Sequence, residues 1–173
     1  MSNLILIGPM GAGKSTSGKW LAKKLGRAFI DLDTCIEQQT GTTISNIFEL
    51  EGETGFRQRE SVALAEVLTH NNQVIATGGG VVLLEHNRWL MKQHGVVLYL
   101  HISPELQLRR LATDKKRPLL QTPDRAERLQ TLSEIRTPIY RACADLSIDL
   151  SCMPISRIRP ALLQLLTDYG FNV

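Results

Sequence analysis

Near the start of the chain, Gly8-Pro9-Met10-Gly11-Ala12-Gly13-Lys14-Ser15-Thr16 fits the phosphate-loop pattern G-x-x-x-x-G-K-S/T. Glycines let the backbone turn tightly, with N–H groups aimed inward at phosphate oxygens. Lys14 supplies a point charge for the outer phosphates, and the Ser15 hydroxyl can ligate Mg²⁺. An apolar run precedes the motif and a helical pattern follows it, which is the context the motif requires. These residues predict binding of a nucleoside triphosphate. By themselves they do not separate a kinase from a switch or a motor.

Three further groups could complete a phosphoryl-transfer site. Asp31 and Asp33 flank Leu32 where a short strand is expected to end, and alternation there would put both carboxylates on one side. One could order a Mg²⁺-bound water while the other meets a hydroxyl that must lose its proton; the pair could equally cap a helix. Arg57, in Phe56-Arg57-Gln58-Arg59-Glu60, is either a solvated helix residue or an anion ligand. Thr77-Gly78-Gly79-Gly80 is a plain loop or a place where a ligand approaches backbone N–H groups closely.

The elements that must position these residues follow from periodicity. Apolar runs at 4–7, 29–32, 74–76, 96–102 and 146–148 read as strands. Between them lie helical patterns at 14–25, ended by Gly26, and at 34–70, interrupted near Gly41 and at 51–55. Further helices are expected at 83–94, from Ser103-Pro104 onward, at 124–143 and at 155–169; Ser103 as cap with Pro104 next is a good helix start. Residues 113–123 are charged and contain two prolines, so they read as an exposed mobile loop. Strands that are apolar without alternation, separated by helices, predict an α/β fold with a five-stranded parallel sheet covered on both faces, three layers in all. Strand order is not readable at this stage.

Composition narrows the classes. A chain of 173 residues most simply makes one domain with a sizeable core. Its net charge of +3 is too small to argue for a nucleic-acid partner. Cys35, Cys143 and Cys152 are scattered and lack metal-ligand spacing, so they read as reduced thiols. No apolar run is long enough to span a bilayer and no secretory signal is evident. The expectation is a cytoplasmic protein with no membrane and no nucleic-acid partner.

GPMGAGKST, FIDLD, GFRQRE, ATGGGVV, KKRPLL and EIRTPIYR occur together and in order. Through them the chain resembles shikimate kinase over essentially its whole length. The resemblance implies a single phosphate-loop kinase domain over 1–173, of the nucleoside monophosphate kinase type. It also implies a substrate-binding helical insertion at about 33–61 and a mobile lid at about 112–123. The implied reaction moves the γ-phosphoryl of ATP to the 3-hydroxyl of shikimate, on the route to chorismate and aromatic amino acids, in a monomer.

The resemblance also distributes roles among the residues. Lys14, Asp33 and Arg117 become catalytic. Gly11, Ala12, Gly13, Lys14, Ser15 and Thr16 hold the phosphates, with Arg117 closing over them and Arg110 against the adenine face. Arg57, Arg136, Gly79 and Asp33 take the acceptor, Glu60 fixes the Arg57 guanidinium, and Phe48 and Phe56 wall the ring. An arginine fork suits the shikimate carboxylate because two parallel N–H bonds fix orientation as well as charge. Mg²⁺ is expected on Ser15 and the ATP oxygens, with Asp31 and Asp33 at or just behind its ligands.

One departure stands out. By the resemblance the stretch Leu150-Ser151-Cys152-Met153-Pro154 should pass near the adenine, yet the basic or polar residue often found there is not evident, so no side-chain contact is assigned. Two other readings remain: a small-molecule kinase of the same architecture with another acceptor, such as gluconate or a nucleoside monophosphate, and a non-catalytic ATP-dependent regulator. Intact Lys14, Asp33 and Arg117 argue against the second, because binding alone does not need all three.

Overall fold

In a computed structural model that describes residues 2–114 and 118–171, the apolar runs form one parallel sheet. Its strands are β1 (Asn3–Ile7), β2 (Ala28–Asp31), β3 (Gln73–Ala76), β4 (Gly95–His101) and β5 (Leu146–Asp149). They lie in the order β2-β3-β1-β4-β5, every neighbouring pair parallel. Around them pack α1 (Lys14–Leu25), α2 (Leu32–Thr40), α3 (Ile44–Val67), α4 (Glu85–His94), α5 (Pro104–Arg110), α6 (Arg125–Cys143) and α7 (Ile155–Asp168).

The period of two along each strand explains the unbroken apolar runs. Ile5 and Ile7 of β1 join one core with Ile36, Leu64, Met91 and Tyr140, from α2, α3, α4 and α6. Leu4 and Leu6 face the other way, into a core with Leu21 and Ala22 of α1 and Leu162 and Leu166 of α7. Both sides of the strand are therefore covered, and a polar residue on either would be stranded. Each of these four β1 side chains is fully buried, worth roughly 1.5–3 kcal/mol apiece relative to exposure.

This order also places the site. β1 and β3 are neighbours, but the chain leaves β1 toward α1 on one face and leaves β3 toward Val81, Val82 and α4 on the other. The divergence opens a crevice above their carboxyl ends, the position where open α/β sheets bind ligands. The phosphate loop and the Thr77–Gly80 turn both border it.

Element boundaries match the expectation closely, with two informative differences. The second strand stops at Asp31 instead of running to Leu32, because Asp31 is the N-cap of α2 and its carboxylate accepts from Thr34 N at 3.4 Å. In the expected loop at 113–123, Pro118–Leu120 forms a 3₁₀ turn, and Leu120 is fully buried against Met10, Leu111 and Leu129. The expected break in the helical stretch at 51–55 is a kink at Gly52, with φ 69° and ψ −176° inside α3.

Candidate active site

The loop after β1 leaves the sheet along a path open only to glycine. At Gly8 φ is 142°, and a Cβ would lie 2.3 Å from the Leu100 carbonyl oxygen. The first backbone bond of α1 runs from Ser17 N to the Gly13 carbonyl at 2.8 Å, so the positive end of the helix opens toward the loop. Lys14 is only 8% exposed, and its Nζ donates to the Gly8 and Pro9 carbonyls at 2.8 and 2.9 Å. The ammonium thus bridges the mouth of the loop. From behind, α5 braces the same turn: Gln107 Nε2 donates to the Met10 carbonyl at 2.9 Å, and Arg110 Nη1 donates to that of Gly11 at 2.9 Å.

A cavity of about 970 Å³ opens over this loop. Gly11, Ala12, Gly13, Lys14, Ser15 and Thr16 all border it, as expected. So do Asp31 and Asp33, although not by the strand alternation the sequence suggested: Asp31 ends the strand and Asp33 sits in the first turn of α2. Ser15 Oγ donates to Asp31 Oδ2 at 2.5 Å, which sets a hydroxyl and a carboxylate side by side at the helix start. Arg110 lines the cavity as well, tied to the loop backbone. The remaining wall comes from Leu150 and from Ile155, Ser156, Ile158 and Arg159 of α7. Leu150 opens the stretch that the resemblance set near the adenine, whereas the four α7 residues were not singled out from the sequence. The Arg159 guanidinium lies over the Trp20 ring, 5.3 Å from its centroid. A helix-to-helix contact of this kind leaves no local signature in the chain.

A second cavity, about 560 Å³, adjoins the first and shares Asp33, Gly78 and Gly79 with it. Phe48, Phe56, Arg57, Glu60 and Arg136 line it, so the acceptor-site residues expected from the sequence converge from α3, α6 and the turn after β3. The two phenylalanine rings pack with centroids 4.8 Å apart, and the Arg57 guanidinium sits 5.1 Å from the Phe56 centroid. Arg57 and Arg136 are 9% and 5% exposed, so their charges face the cavity and not bulk water.

Burial of this kind requires compensation. Arg57 Nη1 donates to Glu60 Oε2 at 2.6 Å, and Nη2 donates to Glu53 Oε1 at 3.1 Å. Burial works against the Arg57 charge, but Glu60 and Glu53 outweigh it and leave the guanidinium more firmly protonated than usual. For Glu60, burial dominates and pushes its carboxyl up; Arg57 and Arg136 oppose that, while Asp33 adds to it. Glu60 Oε1 is buried and, among the described residues, has no hydrogen-bond partner. Glu53 was not anticipated, though its place one turn before Arg57 was a readable signal.

The glycines after β3 are small because charged groups press against them. A Cβ on Gly78 would lie 2.5 Å from Glu60 Oε1 and 3.1 Å from Asp33 Oδ1; one on Gly80 would lie 2.2 Å from Arg57 Cζ. Thr77 anchors the turn, its Oγ1 donating to the Leu6 carbonyl at 2.9 Å. Tyr140 of α6, another residue without an assigned role, donates its hydroxyl to the Gly79 carbonyl. Arg117 lies outside the described residues; Asp114, Pro118 and Leu119 on either side of it border the second cavity.

With this geometry in place, comparison with known proteins is informative. The family model for shikimate kinase matches residues 10–167. A shikimate kinase of Psychrobacter sp. (strain PRwf-1) is 51% identical over 149 residues, 86% of this chain and 83% of the relative. One from Nitrosococcus oceani is 46% identical over 167 residues, 96% of this chain and 88% of the relative. The solved structure of shikimate kinase from Acinetobacter baumannii in complex with shikimate superposes with a TM-score of 0.94 at 45% identity, covering 99% of this chain and 96% of that one.

Proposed function

Since the chain belongs to the shikimate kinase family, we propose that its two adjoining cavities hold the two substrates, ATP over the phosphate loop and shikimate between Arg57 and Arg136. The reaction is transfer of a phosphoryl group from ATP to a hydroxyl of shikimate. The observation that carries the assignment is the pair of buried guanidiniums in a cavity that shares Asp33, Gly78 and Gly79 with the phosphate site. A small ring bearing one carboxylate and three hydroxyls matches that lining.

Each residue then has a physical task. Arg57 and Arg136 clamp the carboxylate by charge-assisted bonds, and the Gly79 N–H adds a neutral donor. Glu60, fully buried, holds the Arg57 guanidinium in place through Oε2. Phe48 and Phe56 cover the ring's apolar edge. This fixes the 3-hydroxyl at the boundary of the two cavities, where Asp33 lies. Asp33 accepts the proton as the hydroxyl oxygen bonds to the γ-phosphorus. The bond from that phosphorus to the β,γ-bridging oxygen breaks, and ADP carries away the electron pair. Lys14 neutralises charge at the outer phosphates, and water exclusion keeps the phosphoryl group from hydrolysis.

The donors present suit Mg²⁺, a hard cation that takes one or two carboxylates together with substrate phosphates and several waters. The Ser15 hydroxyl and the Asp31 carboxylate, 2.5 Å apart at the loop's edge, would hold it, with Asp33 close behind. Held there, the ion would supply positive charge to offset that of the ATP phosphates. Arg117 is assigned by resemblance and by its charge as a further cation for the transferring group. The same reading makes the protein a cytoplasmic monomer, with 33–61 as the acceptor-binding segment and 112–123 as the lid.

Arg57→Ala and Arg136→Ala test the assignment of the second cavity. Each removes a charge-assisted bond worth roughly 1.5–3 kcal/mol, so shikimate affinity should fall about ten- to a hundredfold. Calorimetry should find ATP affinity much less changed. Equal losses for both ligands would make the arginines structural.

A further inference from the structure

We propose that Tyr140 is a positioning residue of the acceptor site, its hydroxyl holding the Gly79 peptide in register with Arg136 so that backbone and guanidinium meet the acceptor together. The proposal rests on the reading of the second cavity as the shikimate site. Tyr140 follows Arg136 by one helical turn on α6, and both are buried. Its hydroxyl crosses from the helix to the turn after β3 and donates to the Gly79 carbonyl. Arg136 flanks the same glycine, since a Cβ on Gly79 would lie 3.6 Å from Arg136 Nη1. Two successive groups of one helix therefore converge on a single peptide, one as a bond and one as a charge.

A run of three glycines is the least self-restrained backbone available, and it loses the most freedom on ordering. Something outside the turn has to fix its peptides. The Tyr140 ring can do so because it cannot itself swing: it stacks on Tyr99 with centroids 5.0 Å apart, and the Tyr99 hydroxyl pairs with His101 Nδ1 at 2.8 Å. Packing alone would be served equally by phenylalanine. A buried hydroxyl costs free energy unless it is bonded, and here the bond it makes ends on the glycine of the acceptor site. Burial pushes the phenol far up, so at neutral pH it keeps its proton and remains a donor. Tyr140 touches neither substrate in this account; it acts through Gly79 and Arg136.

The test is steady-state kinetics of Tyr140→Phe, Arg136→Ala and the double variant, with the wild type alongside and a melting curve for each. Tyr140→Phe keeps the stacked ring and removes only the hydroxyl. It should raise the KM for shikimate about five- to tenfold, as expected for one lost hydrogen bond, and leave the KM for ATP within about twofold. In the Arg136→Ala background the same change should alter the shikimate KM by less than about twofold, since coupled groups are non-additive. An unchanged shikimate KM in Tyr140→Phe, a parallel rise for both substrates, full additivity, or failure of the variant to fold would each overturn the proposal by assigning the hydroxyl to the fold alone. Absence of shikimate-dependent turnover in the wild type is a separate result, which would defeat the reading of the cavity.

Discussion

Lys14 and Glu60 illustrate how burial turns a side chain into a tool. Lys14 Nζ lies at the edge of the first cavity, bonded to two loop carbonyls, and in the proposed reading that places it where charge builds on the phosphates. Lys14→Met keeps most of the stem's volume and removes that charge. Turnover should fall by at least about 10²-fold, since positioned cations dominate phosphoryl transfer; near-normal turnover in a folded variant would remove Lys14 from the mechanism. Glu60 yields a prediction about pH. Burial, reinforced by Asp33, raises its folded-state pKa above the unfolded value, so the folded protein binds more protons than the unfolded one just above that value. Its contribution to stability is therefore greatest below the unfolded carboxylate range, near pH 4, and declines as pH rises toward the folded pKa. Denaturant titrations of wild type and Glu60→Gln across that window should show the wild type losing ground relative to the variant as pH increases. A difference that stays flat, or moves the other way, would mean that Arg57 and Arg136 keep Glu60 ionised throughout.

Among the elements, the turn after β3 is the most sharply constrained. Gly80 has φ −102° and ψ 0°, which alanine can adopt, so Gly80→Ala introduces no backbone strain. Its methyl group would instead collide with the Arg57 guanidinium and drive it out of place. The variant should mimic Arg57→Ala, weakening shikimate binding about tenfold or more while ATP binding persists; calorimetry with each ligand would show it. Equal binding of shikimate by Gly80→Ala and wild type would mean that Arg57 can move and still serve. None of this was legible locally. From the chain alone, Thr77–Gly80 could have been a plain loop, because the atoms crowding it come from residues distant in the chain, such as Glu60, Arg57 and Asp33. By contrast, α1 was legible to its last residue, since the motif sets its start and Gly26 in the left-handed conformation sets its end. Asp33 was chosen correctly as a cavity residue for an incomplete reason: the cap at Asp31 turns the chain into helix where alternation had been assumed. The wall that α7 gives the cavity over the phosphate loop was missed, because Ile155 and Arg159 look like ordinary helix-surface residues in sequence.

At the scale of the whole molecule, one topological feature organises the chemistry. Because β1 and β3 are adjacent while their helices diverge to opposite faces, a loop built for phosphates and a turn built around arginines border the same crevice. Two small cavities with a shared boundary are what a transfer between two bound molecules requires, since both reactants must be held in line. Among the described residues no helix is long and apolar enough to cross a membrane. The central claim is that the second cavity takes shikimate as the acceptor for the phosphoryl group held over the first. It is tested most directly by following ADP release from purified protein with ATP and Mg²⁺, with shikimate, gluconate or a nucleoside monophosphate as acceptor, and identifying the product by mass. The account predicts ADP release that depends on shikimate, one phosphoryl group added to shikimate for each ADP formed, and no comparable turnover with the other two. Turnover with another acceptor in preference to shikimate, or ADP release indifferent to any acceptor, would contradict it.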